Sequence, residues 1–569
     1  MTGLHKLIFS SIVFIAVFLR VLWLDSAPRG GLIDELHYGY LAHSILETGK
    51  DEHGNSFPLL FRGFGDNKLP VGVYALVPFV KLWGLNETVV RMPSVLAGLI
   101  VVITSFFLAR ALGFGHRIAL TAMLISAISP WPFILSRFGF ESNLALAMLM
   151  VALTLMFRGL TRLKIRELLL MTFLLALTWY TYIAYRPITL LLLLVFLGII
   201  WLRKNSSVVK PLLIALGLFG LVILPTFMPT VRGVNTSRFD QIGFTSDTGI
   251  VSTINENRTF CDMRLPLPVC SIIWNKPVVT ANKIIARILS VFSADYMILT
   301  GEGKNNYLSV NDFGLFFWVG YPLLIFGLVA ILMQLKDKKS KTKFLHLERG
   351  VIIIVGLLIA VLPAVMVGDP QKVRLSAAYP FLLILMLYGI LWLINYLTSK
   401  RLIQAVVITV FGVTLWQAAQ FYFYYYTVQT QNYDYLYQSY VPEMMRYVAS
   451  VDEEAQVFIK PFFSDPLMFY AYYTKYDPAE YQQKVVLGEL ENSGFQHAVE
   501  LDKIKIENHP AEELRCLALQ TAQPTVLITN ENFGGFIPAA KFTSANGVHT
   551  YAYAYYFDPA LINPAECAE

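Results

Sequence analysis

Long apolar runs separated by short polar connections fill the first three quarters of the chain. The hydrocarbon core of a bilayer takes about 20 apolar residues per helix. Runs of that order lie at about 7–24, 88–109, 118–135, 141–157, 167–184, 187–202, 211–229, 313–335, 350–367, 375–398 and 402–425. The pattern predicts eleven transmembrane helices. No small-residue cleavage site follows Trp23-Leu24-Asp25, so the first run is read as an uncleaved helix. Two stretches, 36–48 and 70–83, are too short to span. Each has an apolar face relieved by polar positions, and both are expected as amphipathic helices in the interface. After about residue 425 the pattern changes. Strand-like Val457-Phe458-Ile459, Val526-Leu527-Ile528 and Thr550 to Tyr556 surround a helix-like Pro466 to Tyr473. The expected fold is an α-helical polytopic membrane domain over 1–425 with a soluble α/β domain over 426–569. Residues 25–87 and 230–312 form two long polar loops within the first.

Composition sharpens this picture. Hydrophobic residues make up 56% of the chain and charged ones 15%, against about 25% charged in soluble domains. That excludes an ordinary soluble globule. A net charge of +6 is too small to imply a nucleic-acid partner. The four cysteines do not make a disulfide scaffold and have no zinc-ligand spacing. Cys261 and Cys270 bracket a proline-containing turn and are expected to close a small loop in an oxidising compartment, with Cys516 and Cys567 as a second candidate pair.

The placement of charge says more than its total. With the N-terminus inside, one set of loops carries 18 basic residues, among them Arg158, Arg162, Lys204, Lys338, Lys339 and Lys341, against three acidic ones, a balance of +15. The rest of the chain is left at −9. The positive-inside rule then predicts N-terminus in and C-terminus out, with the long polar segments and the tail outside a cell (inner or plasma) membrane.

The spans carry few ionisable groups at mid-depth, where transporters place them. The unusual residues gather at the predicted outer ends. Asp34-Glu35 follow Gly30-Gly31 at the start of an amphipathic stretch, where a carboxylate serves either as a helix N-cap or as a general base. Arg137 and Glu141 share the turn Arg137-Phe138-Gly139-Phe140-Glu141, read either as a solvated ion pair or as part of a pocket. Arg186, Lys372 and Arg374 sit at outer helix ends against the topological bias. They are either snorkelling anchors or a cradle for an anion, since a guanidinium grips phosphate oxygens in a bidentate fork. A lipid-linked phosphate with a carboxylate nearby suits sugar transfer, because a phosphate whose charge is stabilised leaves without acid help.

These residues, in order, resemble the polyprenyl-phosphate-sugar-dependent glycosyltransferases of family 39, the protein O-mannosyltransferase and aminoarabinose transferase type with the GT-C membrane fold. The resemblance rests on Asp34-Glu35 with Tyr38 and Ala42, Asn67-Lys68-Leu69-Pro70, Gly84, Glu87 and Arg91-Met92-Pro93-Ser94. It continues through Ser136 to Asn143, Tyr180-Thr181-Tyr182 with Arg186-Pro187, Phe292 to Tyr296, Gly301-Glu302, and Val373-Arg374-Leu375 before Tyr379-Pro380. Leu69 departs from the family's Lys-Pro-Pro, and Glu141 stands where some members have Asp.

The resemblance implies Asp34 as catalytic base with Glu35 as its partner and Glu141 as a second acid. It implies donor phosphate binding by Arg374, Arg186 and Lys68, and a sugar pocket shaped by Arg137, Tyr38 and Tyr182. The expected partners are the bilayer, a polyprenyl-phosphate-linked sugar as donor substrate, and a protein or glycolipid acceptor. No resident cofactor is assigned, and a divalent metal stays open because relatives differ. The rival expectation is a transporter or flippase of lipid-linked sugars.

Overall fold

A computed structural model of the chain describes all residues except 64–66, 204–208, 229–247, 304–305, 337–342, 490–495, 564–566 and 568–569. Residues 230–247 of the second polar loop, and Lys204, Lys338, Lys339 and Lys341 of the basic loops, lie outside the described residues. The chain folds as two compact units interleaved in sequence. A helical unit comprises Met1–Leu22, Ser94–Arg137 and Glu141–Tyr422; a mixed unit comprises Trp23–Pro93, Phe138–Phe140 and Phe423–Glu569.

A helix stands at every predicted span: α1 Gly3–Val21, then, after α2 Ile33–Thr48 and α3 Pro70–Trp83, α4 Glu87–Ala111, α5 His116–Ile128, α6 Pro130–Leu135, α7 Glu141–Gly159, α8 Ile165–Leu177, α9 Tyr185–Leu202 and α10 Val209–Ile223. After α11 Thr248–Asp262, α12 Leu267–Ile273 and α13 Lys276–Val291 come α14 Gly320–Lys336, α15 Lys343–Met366, α16 Tyr379–Tyr396 and α17 Lys400–Tyr424. Among the described residues, eight helices are long and apolar enough to cross a membrane. The third, fifth and eighth predicted spans are shorter helices, for local reasons. Pro130 has no N–H and forces Ser129 into an extended conformation, φ −63° and ψ 144°, so the third run breaks into α5 and α6. The fifth run ends α8 at Leu177 in a short 3-10 turn, Thr178–Tyr180, and the eighth becomes helical only at Gly320.

Within the helical unit, α14 and α16 pack backbone against backbone. A Cβ on Gly327 would lie 1.8 Å from the Leu385 carbonyl oxygen, and one on Gly389 would lie 2.1 Å from that of Leu323. Only glycine permits this approach, the small-residue device by which membrane helices associate. Cys261 is joined to Cys270, closing the turn between α11 and α12.

In the mixed unit, the tail contributes α18 Val441–Ser450, α19 Pro466–Thr474, α20 Pro478–Lys484 and α21 Ala511–Thr521 around a seven-stranded sheet. The strands are β1 Gln456–Ile459, β2 Val486–Leu487, β3 Ala498–Leu501, β4 Ile504–Ile506, β5 Thr525–Thr529, β6 Ala540–Thr543 and β7 Thr550–Phe557, in the order β2-β3-β4-β1-β5-β7-β6. β4, β1 and β5 run parallel, and the flanking strands are antiparallel. Side chains alternate across the sheet. Val457, Ile459, Val526 and Ile528 enter one core, while Phe458 and Leu527 enter the other with Leu514 and Ala518 of α21. Cys516 is joined to Cys567.

The larger core also contains residues from the first polar loop. Leu36, Tyr38, Tyr40, Leu41 and Ile45 of α2, with Val73, Leu76 and Val80 of α3, share it with α18, α19 and the strands. The expectation of an amphipathic α2 with one polar face is thereby corrected. α2 is buried around its circumference because its polar positions have partners: His37 Nε2 contacts Glu52 Oε1 at 2.9 Å, the Tyr40 hydroxyl donates to Tyr476 O at 3.1 Å, and the Ser44 hydroxyl donates to Lys50 O at 2.8 Å. α3 keeps a single buried stripe, Val73, Leu76 and Val80, with Leu82 and Trp83 exposed.

Candidate active site

The sequence-derived candidates fall into two groups, one in each unit. In the mixed unit, α2 begins after Leu32, and Glu35, not Asp34, satisfies its N-terminus: Glu35 Oε2 accepts from the Leu32 amide at 3.2 Å. The capping alternative for Asp34 therefore falls away. The Asp34 carboxylate, 42% exposed, meets the ammonium of Lys68, which is 4% exposed. Lys68 also lies 5.4 Å from the centroid of the Tyr38 ring. The Asn67-Lys68-Leu69-Pro70 motif can do this because Phe61 and Lys68 exchange backbone hydrogen bonds of 3.0 and 2.9 Å just before Pro70 opens α3. Asp34, Lys68 and Tyr38 are thus brought together across 34 residues of sequence.

Glu35 is a different kind of acid. It is 1% exposed, and both its oxygens are engaged. Oε1 accepts from Arg91 Nε at 3.2 Å and from the Gly139 amide at 2.6 Å, and Oε2 accepts from Arg91 Nη2 at 3.4 Å. Arg91 goes on to donate to the carbonyls of Leu24 and Pro28 at 2.9 Å and of Gly30 at 2.6 Å. Glu35 and Arg91 thereby tie together the segment leading into α2, the first turn of α4 and the Phe138–Phe140 turn. In this geometry Glu35 fixes the backbone next to Asp34. The motif Arg91-Met92-Pro93-Ser94 was visible in the sequence, but nothing in it told that Arg91 is 1% exposed and paired with Glu35.

In the helical unit, Arg137 is fully buried. Its Nη1 donates to the carbonyls of Arg20 and Leu22 at 2.8 Å, and its guanidinium lies 5.9 Å from the Phe133 ring centroid. It closes the C-terminal end of α1, where orphan carbonyls need donors. Glu141 is the first residue of α7. Glu141 and Arg374 are both among the charges acting on the Tyr182 hydroxyl, which puts these three in one electrostatic neighbourhood. Arg186, in the first turn of α9, donates from Nε to Trp179 O at 3.1 Å.

Arg374 is partly buried in the connection between α15 and α16 and donates from Nη1 to Val367 O at 2.6 Å. No carboxylate among the described residues is in ion-pair range of it. Lys372, two residues earlier, is fully buried and donates from Nζ to Leu308 O at 2.9 Å and Ser309 Oγ at 3.2 Å. It is therefore neither a snorkelling anchor nor part of an exposed anion cradle. Burial pushes its ammonium down to about 8 and pushes the Glu302 carboxyl upward. Among the described residues no group of three or more His, Cys, Asp or Glu is placed to hold a metal ion.

Residues 67–229 match the family described as dolichyl-phosphate-mannose-protein mannosyltransferase. That segment includes Lys68, Arg91, Arg137, Glu141, Tyr182 and Arg186 and leaves out Asp34, Glu35 and Arg374. The fold is similar over its whole length to the crystal structure of ArnT from Cupriavidus metallidurans bound to undecaprenyl phosphate, with 10% identity, 97% of this chain and 98% of that chain covered, and a TM-score of 0.52. The archaeal oligosaccharyltransferase AglB from Archaeoglobus fulgidus, in complex with an inhibitory peptide and a dolichol-phosphate, aligns with 83% of this chain and 64% of its own at 13% identity and a TM-score of 0.48. No curated protein matches the sequence.

Proposed function

We propose that this chain is a polyprenyl-phosphate-dependent membrane glycosyltransferase of the family 39, GT-C type, a reading its segment match and whole-length fold similarity support. The enzyme moves a sugar from a polyprenyl-phosphate donor to a hydroxyl or amine acceptor on the extracytoplasmic face, with inversion. Asp34 removes the acceptor proton as the acceptor attacks the anomeric carbon. The bond from that carbon to the phosphate oxygen breaks, its electron pair stays with the phosphate, and the polyprenyl phosphate departs. Arg374, with Arg186 or Lys68, stabilises the departing charge. Glu141, Tyr182, Tyr38 and Arg137 contribute to or support the sugar pocket.

The observation that carries this reading is the Asp34–Lys68 pair. A half-exposed carboxylate is aimed by a buried ammonium at the start of a buried helix, and it is released from capping because Glu35 does that work. A positioned base of this kind contributes about 100- to 10,000-fold to a proton-transfer step. The Arg374 guanidinium, out of ion-pair range of every carboxylate among the described residues, suits an anion that arrives with the substrate.

The test is transfer of radiolabelled sugar from a defined polyprenyl-phosphate donor by the purified enzyme in liposomes. Asp34→Asn is expected to abolish turnover and leave donor binding intact. Full activity of that variant would remove Asp34 from the role of base. Movement of the donor across the bilayer without transfer by the wild type would replace the enzyme with a flippase.

A further inference from the structure

The mechanism uses Arg374 but leaves two buried ionisable groups beside it, Lys372 and Glu302, without a task. Their bonds show what they hold. The segment Gly368–Arg374 connects α15 to α16 and has no regular structure of its own to keep it in place. It is fastened at successive points to parts of the helical unit distant in sequence. The Tyr296 hydroxyl donates to Pro370 O at 3.1 Å. The Lys372 amide donates to Glu302 Oε1, and Trp131 Nε1 donates to Lys372 O at 3.1 Å. Lys372 Nζ donates to Leu308 O and Ser309 Oγ. Asn306 Nδ2 holds the other Glu302 oxygen at 2.8 Å.

Space is as tight as the bonding. Gly301, at φ +61°, lies under the lysine, and a Cβ there would come within 3.0 Å of Lys372 Cε and Nζ. A carboxylate and an ammonium carried into the interior each give up their hydration. Two such groups placed on the strand of chain that carries Arg374 are an expensive way to shape a loop, unless the loop must hold a charge in register.

We propose that Glu302 and Lys372 are positioning residues for donor binding: they fix the Gly368–Arg374 segment so that the Arg374 guanidinium is presented in one orientation to the phosphate of the lipid-linked donor. This rests on the phosphate role inferred for Arg374. Glu302 acts through the Lys372 backbone, Lys372 acts through Leu308 and Ser309, and neither touches substrate. Preorganisation of this kind lowers the cost of ordering a side chain on binding.

The test is a mutant cycle on the reconstituted enzyme, with KM for the polyprenyl-phosphate sugar and kcat measured separately. Arg374→Ala sets the reference and is expected to raise donor KM about a hundredfold, the scale of a lost charge-assisted contact. Glu302→Ala is expected to raise donor KM about tenfold, with kcat and acceptor KM within about twofold. Glu302→Gln, which can still accept from the Lys372 amide, should restore most of the difference. In the double variant the Glu302→Ala effect should disappear, because the residue it positions is gone. Trp131→Phe, which deletes the bond to Lys372 O together with part of a buried ring, is the second probe should Glu302→Ala fail to fold. It should raise donor KM about threefold in the wild-type background and not at all with Arg374→Ala. A raised donor KM in Arg374→Ala with wild-type KM in both Glu302→Ala and Trp131→Phe overturns the positioning role alone, as do effects that multiply independently in the double variants. An unchanged donor KM in Arg374→Ala overturns the phosphate role and the positioning role together.

Discussion

The ammonium of Lys68 and the carboxylate of Asp34 form an ion pair whose members are unequally placed: the lysine side chain is 4% exposed and the aspartate 42%. The buried member is the fixed one. Lys68 is held where the Phe61–Lys68 backbone pairing and the start of α3 put it, so the charge that orients Asp34 is part of the framework.

Replacing Lys68 by Met should therefore act on turnover more than on folding. The carboxylate keeps its place in the chain but loses the charge that aims it, and misplacement of about 1 Å costs about a hundredfold in rate. A fall in kcat of about 10- to 100-fold is expected for Lys68→Met, with partial recovery in Lys68→Arg. Steady-state transfer assays on protein of wild-type elution profile check it.

Glu35 should separate from Asp34 in a stability measurement. Glu35→Ala leaves the guanidinium of Arg91 buried without its counter-charge, a change that costs about 3–5 kcal/mol. Thermal unfolding in detergent is expected to show a large loss for Glu35→Ala and a smaller one for Glu35→Gln, whose single carbonyl oxygen still accepts from one of the Gly139 and Leu32 amides. Asp34→Asn, which keeps an oxygen to accept from the Lys68 ammonium and sits at a partly exposed position, should lose less than Glu35→Ala. If Asp34→Asn and Glu35→Ala lost stability equally, the two acids would not have distinct tasks.

The disulfides should contribute unequally. Cys516 and Cys567 are 51 residues apart, and Cys261 and Cys270 are nine apart. On loop-closure grounds the longer link is worth about 4 kcal/mol to the mixed unit and the shorter one about 2.5 kcal/mol to its hairpin. Paired Cys→Ser variants followed by limited proteolysis should show the tail opening first when the 516–567 link is removed.

Lys372 predicts a pH dependence of stability with a definite sign. Its value is lowered from 10.5 to about 8 by burial, partly offset by Glu302. Between about pH 8 and 10.5 the unfolded chain therefore binds more protons at this site than the folded one, so stability at this site rises with pH. Lys372→Met removes that contribution. The difference in thermal midpoint between Lys372→Met and wild type should shift in the wild type's favour as pH increases through this window.

Much of the helical framework was legible because bilayer-length apolar runs are a one-dimensional signal, and a helix stands at each of the eleven. The breaks inside three of them follow from local chemistry, as at Ser129-Pro130. The Asp34 and Lys68 motifs were legible as residues, but their contact depends on a loop closing across 34 positions. Lys372 near a predicted helix end reads as a surface group, and only the positions of Glu302 and Leu308, 70 and 64 residues away in sequence, reveal it as buried. α2 was misjudged in the same way. Its polar positions suggested a wet face, whereas Tyr476, 436 residues beyond Tyr40, takes one of its hydroxyls.

The shared core of the mixed unit also sets an order of events during synthesis. α2 and α3 leave the ribosome about 330 residues before the strands and helices that cover them, a delay of roughly 15 to 65 s at about 5–20 residues per second. Throughout that interval the Leu36, Leu41 and Ile45 side chains lack the tail half of their core. The nascent protein must shelter them meanwhile against lipid or a chaperone, and a chain truncated before residue 423 would leave them permanently with only the α2–α3 half of that core.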